Sequence, residues 1–199
     1  MKQPVSDFQQ CRSAIAQNGQ NIEAFIKTVL ADIKTANAEL GLFESIDEAT
    51  VLSDAARLDA LPQEQREALP LAGLPFAVKD IIDVAGMPTA FGCAAPIGYN
   101  AQTDASIVKQ LKAQGALVIG KTVTTELAFL QPSRTRNPRG LDFTPGGSSS
   151  GSAAVVAANL LPLAIGTQTG GSVIRPAAFC GVFAIKPSFG LTDRFGVLS

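Results

Sequence analysis

Between residues 18 and 40 the apolar positions Ile22, Phe25, Ile26, Val29, Leu30 and Ile33 recur at three- and four-residue intervals, with polar side chains between them. That period places them on one face of an α-helix, and Gly41 stands where the helix should end. The segment reads as a scaffold helix laid on a core. Residues 48–69 carry a shorter Ala/Leu/Arg helical stretch and then a Pro-punctuated polar loop, expected at the surface. From Gly73 the texture changes to short apolar runs separated by helical stretches. The pattern predicts strands at 75–82, 116–120, 161–166 and 181–186, and helices at 104–114 and 149–159. Asp104 is placed to cap the helix carrying Ile107, Val108 and Leu111, and Gly115 to break it before Ala116-Leu117-Val118-Ile119. That last run does not alternate, which suits a strand covered on both faces. Small residues from Gly151 to Ala158 give the next helix a slim face for close packing. The expected class is therefore α/β, a mixed β-sheet flanked by α-helices, with 1–72 an N-terminal helical region and 73–199 the first part of the α/β core.

Composition narrows the function classes. At 199 residues and 46% hydrophobic content the chain can bury one sizeable core. Its 16 basic and 17 acidic side chains leave a formal net charge of -1 with no basic block, which argues against direct contact with nucleic acid. No apolar run reaches membrane-spanning length without polar interruption, so no membrane partner is expected. Cys11, Cys93 and Cys180 are odd in number and scattered, and no basic stretch precedes an apolar leader; both features predict reduced thiols and a cytoplasmic location. With no histidine and no Cys-x-x-Cys spacing, neither a metal nor a cofactor is expected. Gly115 to Thr122 satisfies the Gly-x4-Gly-Lys-Thr phosphate-loop pattern, but its four intervening residues are the apolar strand itself. A nucleotide loop presents flexible backbone amides, so the match is rejected and Lys121 is assigned a solvated or structural role. The chain stops at Ser199 just as another strand begins, which reads as the front portion of a longer domain.

Two Gly/Ser clusters carry the chemistry: Gly146-Gly147-Ser148-Ser149-Ser150-Gly151 and Gly166-Thr167-Gln168-Thr169-Gly170-Gly171-Ser172. Glycines beside Ser148 and Ser172 allow tight turns that gather several N–H groups about one point, as an oxyanion site requires. A serine nucleophile needs a base, and without histidine the base is a lysine or a carboxylate. Lys79 sits in the apolar run Pro75 to Ile82, where desolvation would lower its pKa. Asp80 and Asp83 are read as structural, because a carboxylate near the lysine would favour its charged form. Cys180 reads as a small buried hydrophobe.

Lys79, the stretch from Gly146 to Ala154, and Gly166 to Ala177 together resemble the amidase signature family, with Ser148 and Ser172 at the family's separation of 24 residues. The resemblance implies a Ser-Ser-Lys triad: Ser172 the nucleophile, Ser148 the bridging serine after a cis peptide bond, and Lys79 the base. It also implies an oxyanion hole at the amides of Thr169, Gly170, Gly171 and Ser172. Arg175 either binds a substrate carboxylate or braces the loop. The activity implied is hydrolysis of a small amide through a seryl acyl-enzyme, releasing ammonia or an amine. Two departures stand out: Gln168 occupies a position where many relatives have Asp, and Lys121-Thr122-Val123-Thr124 lacks their Asn-Met pair. The second points to a stand-alone amidase. The alternatives are the A subunit of a glutamine-dependent tRNA amidotransferase, and a non-catalytic scaffold that keeps the fold. The expected partner is a small amide, with a homo-oligomer left open.

Overall fold

The computed structural model describes residues 7–17, 19, 21–94 and 98–198. The N-terminal region folds as α1 (Phe8–Gln17), α2 (Ile22–Leu40), a short strand β1 (Phe43–Ser45), α3 (Glu48–Asp59) and α4 (Gln63–Glu67). The amphipathic run predicted from the sequence is α2. Its Asn21 side chain accepts the Ala24 N–H at 2.7 Å, and Gly41 ends it at φ 61°, returning its own N–H to Asn37. All six of the periodic apolar residues are buried.

The remaining elements are β2 (Pro75–Lys79), the antiparallel pair β3 (Pro88–Thr89) and β4 (Tyr99–Asn100), α5 (Ser106–Ala113), β5 (Leu117–Thr122), a 3-10 turn (Glu126–Ala128), α6 (Ser150–Ala157), β6 (Leu163–Ile165) and α7 (Ile174–Cys180). The main sheet has the order β1-β5-β2-β6. β5, β2 and β6 run parallel, and β1 pairs antiparallel with β5. This is the mixed α/β sheet expected from the alternation of elements. β2 is buried along its whole length, consistent with a central parallel strand whose residues do not alternate. One buried cluster runs from Cys11 through α2 and the sheet to Leu161.

Four local expectations are corrected. β2 stops at Lys79 rather than 82, because the N–H groups of Ile81 and Ile82 both turn back to the Lys79 carbonyl. Residues 181–186 form no strand: Phe183 and Ile185 are exposed and no ladder partner lies beside them among the described residues. An apolar run becomes a strand only where neighbouring backbone can pair with it. Asp104 does not cap α5, which starts after Ala105; its carboxylate instead accepts the Ala85 N–H and the Lys112 ammonium, each at 2.8 Å. Part of the expected 60s loop is helical, as α4.

Candidate active site

Ligand sites in open α/β sheets collect where parallel strands end at their carboxyl side, since the loops there diverge and leave a crevice. Here three such ends meet. Lys79 is the last residue of β2, Gly166 and Thr167 follow β6, and Val123-Thr124-Thr125 follow β5. The Ser148 loop is stitched to the last of these: the Thr125 N–H and the Thr124 hydroxyl both donate to the Ser148 carbonyl at 3.1 Å, and the Gly151 N–H donates to Val123. The fit is tight. A Cβ on Gly151 would lie 2.3 Å from the Leu42 carbonyl oxygen, so only glycine lets α6 start against β5. Ser152 ties the same helix to both neighbouring strands, sharing a hydrogen bond with Thr122 at 2.7 Å and donating to the Ile165 carbonyl at 3.1 Å.

Lys79 is 0% exposed. Its Nζ donates to Ser148 Oγ at 2.7 Å and to Thr167 Oγ1 at 2.9 Å, both neutral acceptors. Burial disfavours the ammonium and pulls the Lys79 pKa down to about 7. The adjacent carboxylate does not undo this. Asp80 is committed to Lys121, whose Nζ lies 3.2 Å away, and it accepts the Ala90 N–H. Burial raises the Asp80 pKa against the pull of Lys121, and lowers that of Lys121 against the pull of Asp80. Lys121 also donates to the Pro88 carbonyl and Thr89 hydroxyl, so of the two roles expected of it Lys121 has the structural one and is not solvated. Asp83 accepts from Thr89 and Tyr99.

Geometry distinguishes the three neighbouring serines. The Gly147-Ser148 peptide is cis. Ser148 alone meets Lys79; the Ser149 hydroxyl accepts the Thr167 N–H and donates to its carbonyl, both at 3.3 Å, while Ser150 Oγ donates to the Ser148 carbonyl. Ser172 is half-buried, and its carbonyl accepts the Ser149 N–H at 3.2 Å, which ties the second Gly/Ser cluster to the first. No hydrogen bond joins the hydroxyls of Ser172 and Ser148 among the described residues. The N–H groups of Thr169, Gly170, Gly171 and Ser172 likewise donate to no protein acceptor there, whereas the next three do: Val173 and Ile174 to Gln168 Oε1, and Arg175 to Gly171. Arg175 places Nε and Nη2 on the Gly147 carbonyl at 2.9 and 2.7 Å, the loop-bracing arrangement. Thr167 was not singled out from the sequence, although a polar residue directly after an apolar strand was a usable signal.

The family model for Amidase matches residues 24–199. The chain belongs to the amidase family. Among curated relatives it is 38% identical to the glutamyl-tRNA(Gln) amidotransferase A subunit of Acidobacterium capsulatum over 89% of this chain and 38% of that one. It is 43% identical to the corresponding A subunit of Symbiobacterium thermophilum over 87% of this chain and 37% of that one. Among solved structures, native peptide amidase of Stenotrophomonas maltophilia superposes with a TM-score of 0.88 at 33% identity, covering 97% of this chain and 42% of that one. The chain thus spans about two fifths of the length of these relatives. The amidase-signature α/β fold is established by these matches, and the family's members carry C–N hydrolase activity. Among the described residues no helix is long and apolar enough to cross a membrane, and no cluster of three His, Cys, Asp or Glu side chains could hold a metal ion.

Proposed function

We propose that the chain carries the acyl-transfer machinery of an amide hydrolase, with Ser172 as nucleophile, Ser148 as proton relay and Lys79 as base. The observation that carries this reading is the buried Lys79 Nζ, 2.7 Å from Ser148 Oγ, with its pKa lowered to about 7. A lysine in that state is substantially neutral near pH 7 and can accept a proton. In the proposed reaction neutral Lys79 takes the Ser148 proton while Ser148 takes that of Ser172. The Ser172 oxygen then attacks the amide carbonyl. Negative charge develops against the unengaged N–H groups of Thr169 to Ser172, the relay protonates the departing nitrogen, and water hydrolyses the ester. Closing the relay requires the Ser172 hydroxyl to turn toward Ser148. Arg175 braces the cis-linked loop through Gly147, and the protein is expected to act in the cytoplasm without metal or cofactor.

The test is covalent trapping. Exposure to a fluorophosphonate, followed by peptide mass spectrometry, should place the adduct on Ser172, and Ser172→Ala should abolish it. Lys79→Ala and Ser148→Ala should slow labelling by about 10²- to 10⁴-fold, the usual worth of general acid–base catalysis. The wild-type rate should fall as pH drops through about 7, where Lys79 takes up its proton. Labelling at another residue, or undiminished labelling of Ser172→Ala protein, would refute the assignment.

A second reading is favoured by the curated relatives, which are A subunits of glutamyl-tRNA(Gln) amidotransferase. In it the same machinery releases ammonia from glutamine for use by a partner protein. This weighs against the stand-alone amidase suggested by the missing Asn-Met pair. Comparing ammonia release from glutamine with release from other primary amides separates the two: a preference for glutamine supports the amidotransferase reading, and indifference to it the free amidase.

A further inference from the structure

At the carboxyl ends of the parallel strands, register decides which side chains meet. Val78 of β2 pairs with Ile165 of β6, so the chain leaving β6 reaches Thr167 beside the end of β2 at Lys79. The Thr167 main chain is pinned there: the Ser149 hydroxyl accepts its N–H and donates to its carbonyl, both at 3.3 Å. Its side chain meets the lysine, and Thr167 Oγ1 accepts from Lys79 Nζ at 2.9 Å. Lys79 Nζ also donates to Ser148 Oγ at 2.7 Å, and Ser148 adjoins Ser149 in the chain. These contacts close a ring about the amine. We infer that Thr167 is a positioning residue for the base: its hydroxyl holds the lysine amine against Ser148 and helps set how tightly that amine keeps its proton. This rests on the reading of Lys79 as the base.

A protonated lysine has three N–H donors and no acceptor, so in that state it gives one donor to each hydroxyl. The neutral amine keeps two donors and gains a lone pair, and it serves as base toward Ser148 only while that lone pair faces the Ser148 hydroxyl. An N–H held on Thr167 restrains rotation of the amine about its terminal bond. The same contact favours the charged form, because a bond donated by an ammonium is stronger than one donated by a neutral amine. Thr167 therefore acts against burial, which pulls the Lys79 pKa down to about 7. The charged groups of the surrounding elements are engaged elsewhere. Asp80 and Lys121 on β2 and β5 pair with each other, Asp83 accepts from Thr89 and Tyr99, and the Arg175 guanidinium on α7 is committed to the Gly147 carbonyl. α6 and β6 carry no titratable side chain.

Two variants of the full chain isolate the hydroxyl. Thr167→Val keeps the branched shape and the main-chain bonds to Ser149 but removes the acceptor; Thr167→Ser keeps the acceptor. Two readouts apply to each: the fluorophosphonate labelling rate of Ser172 against pH, and the titration of the Lys79 Cε resonance in protein carrying carbon-13 lysine, assigned by its loss in Lys79→Met. Without the acceptor the ammonium loses more than the neutral amine does, so the Lys79 pKa falls. In Thr167→Val both the Cε titration and the acid limb of labelling should move down by about one pH unit, while the plateau rate drops by about three- to tenfold as a weaker, unrestrained base takes the proton. Thr167→Ser should restore both. A residue that only fills space would lower the rate without moving the titration, and that outcome overturns the inference. So does a Thr167→Val protein that titrates and labels like the wild type, an upward shift, or a Thr167→Ser protein that behaves like Thr167→Val. Wild-type labelling away from Ser172 would instead refute the functional reading, and the Cε titration would still decide whether Thr167 governs the Lys79 proton.

Discussion

Lys79 ends β2 with its ammonium removed from water, and the fold carries the cost of keeping it there. The native pKa of about 7 lies below the ordinary value of 10.5 because burial penalises the charged form. Below pH 7 native and unfolded states both hold the proton, and the native state bears the full penalty. At 1.36 kcal/mol per unit the gap is worth about 5 kcal/mol. Between pH 7 and 10.5 the unfolded chain binds more protons than the native one, so stability contributed by this site rises with pH. Lys79→Met removes the titrating group while keeping the length and apolar stem. It is expected to exceed the wild type in urea midpoint at pH 6 and to lose that advantage progressively toward pH 10. A difference independent of pH would show that the lysine is not desolvated as described. The same residue illustrates a division of labour between chain neighbours, since Asp80 gives its carboxylate to Lys121 and leaves Lys79 with two hydroxyl acceptors.

At the scale of elements, α6 holds Ser148 because Gly151 allows its first turn to touch β5 and the chain before β1. Glycine to alanine in an exposed helix normally stabilises by about 1 kcal/mol. Here the added methyl would lie 2.3 Å from the Leu42 oxygen and 2.7 Å from the Val123 nitrogen, both backbone atoms that cannot rotate away. Gly151→Ala is therefore expected to destabilise by about 1–3 kcal/mol, the range for overpacking, and to slow Ser172 labelling because Val123 to Thr125 also hold the Ser148 loop. Equal urea midpoints for variant and wild type would contradict that packing. The elements most readable in the sequence were those whose signal is local: α2 from its period, and β2, β5 and β6 from apolar runs bounded by turn residues. β1 was not readable, because three residues with one buried position carry no period and become a strand only beside β5. The failure at 181–186 has the opposite cause, an apolar pattern with no strand beside it among the described residues. In the site, Lys79 and the two Gly/Ser clusters were legible as residue types. Their partners were not, since Thr167 is 88 positions from Lys79 and the direction of Gln168 Oε1 depends on how the turn folds back.

Across the whole molecule, burial is unevenly distributed, and the contrast falls along the chain. The sheet and α2 enclose one continuous core, while Phe183, Ile185, Phe189 and Leu191 project into solvent. The segment bearing them leaves α7 and is fastened again at its far end, where the Asp83 N–H donates to Gly196 and the Leu198 N–H to Ile81. It therefore spans from the helix after the Ser172 turn to the turn that follows Lys79. Four large apolar side chains exposed along one segment offer sites for an apolar probe, and a net charge of -1 supplies little repulsion between copies. An environment-sensitive dye such as anilinonaphthalene sulfonate should bind the native chain well below its unfolding transition. Phe183→Ser combined with Ile185→Ser should weaken that binding while moving the urea midpoint by an amount within about 0.5 kcal/mol of wild type, since exposed side chains contribute little burial to the native state. Phe76→Ala is the opposite control: its ring, on β2, is 0% exposed, and the truncation should cost about 3–5 kcal/mol. If the double serine variant lowered the midpoint as far as Phe76→Ala, the 181–198 segment would have to be packed rather than open, and the division between an enclosed sheet and an uncovered flank would be wrong.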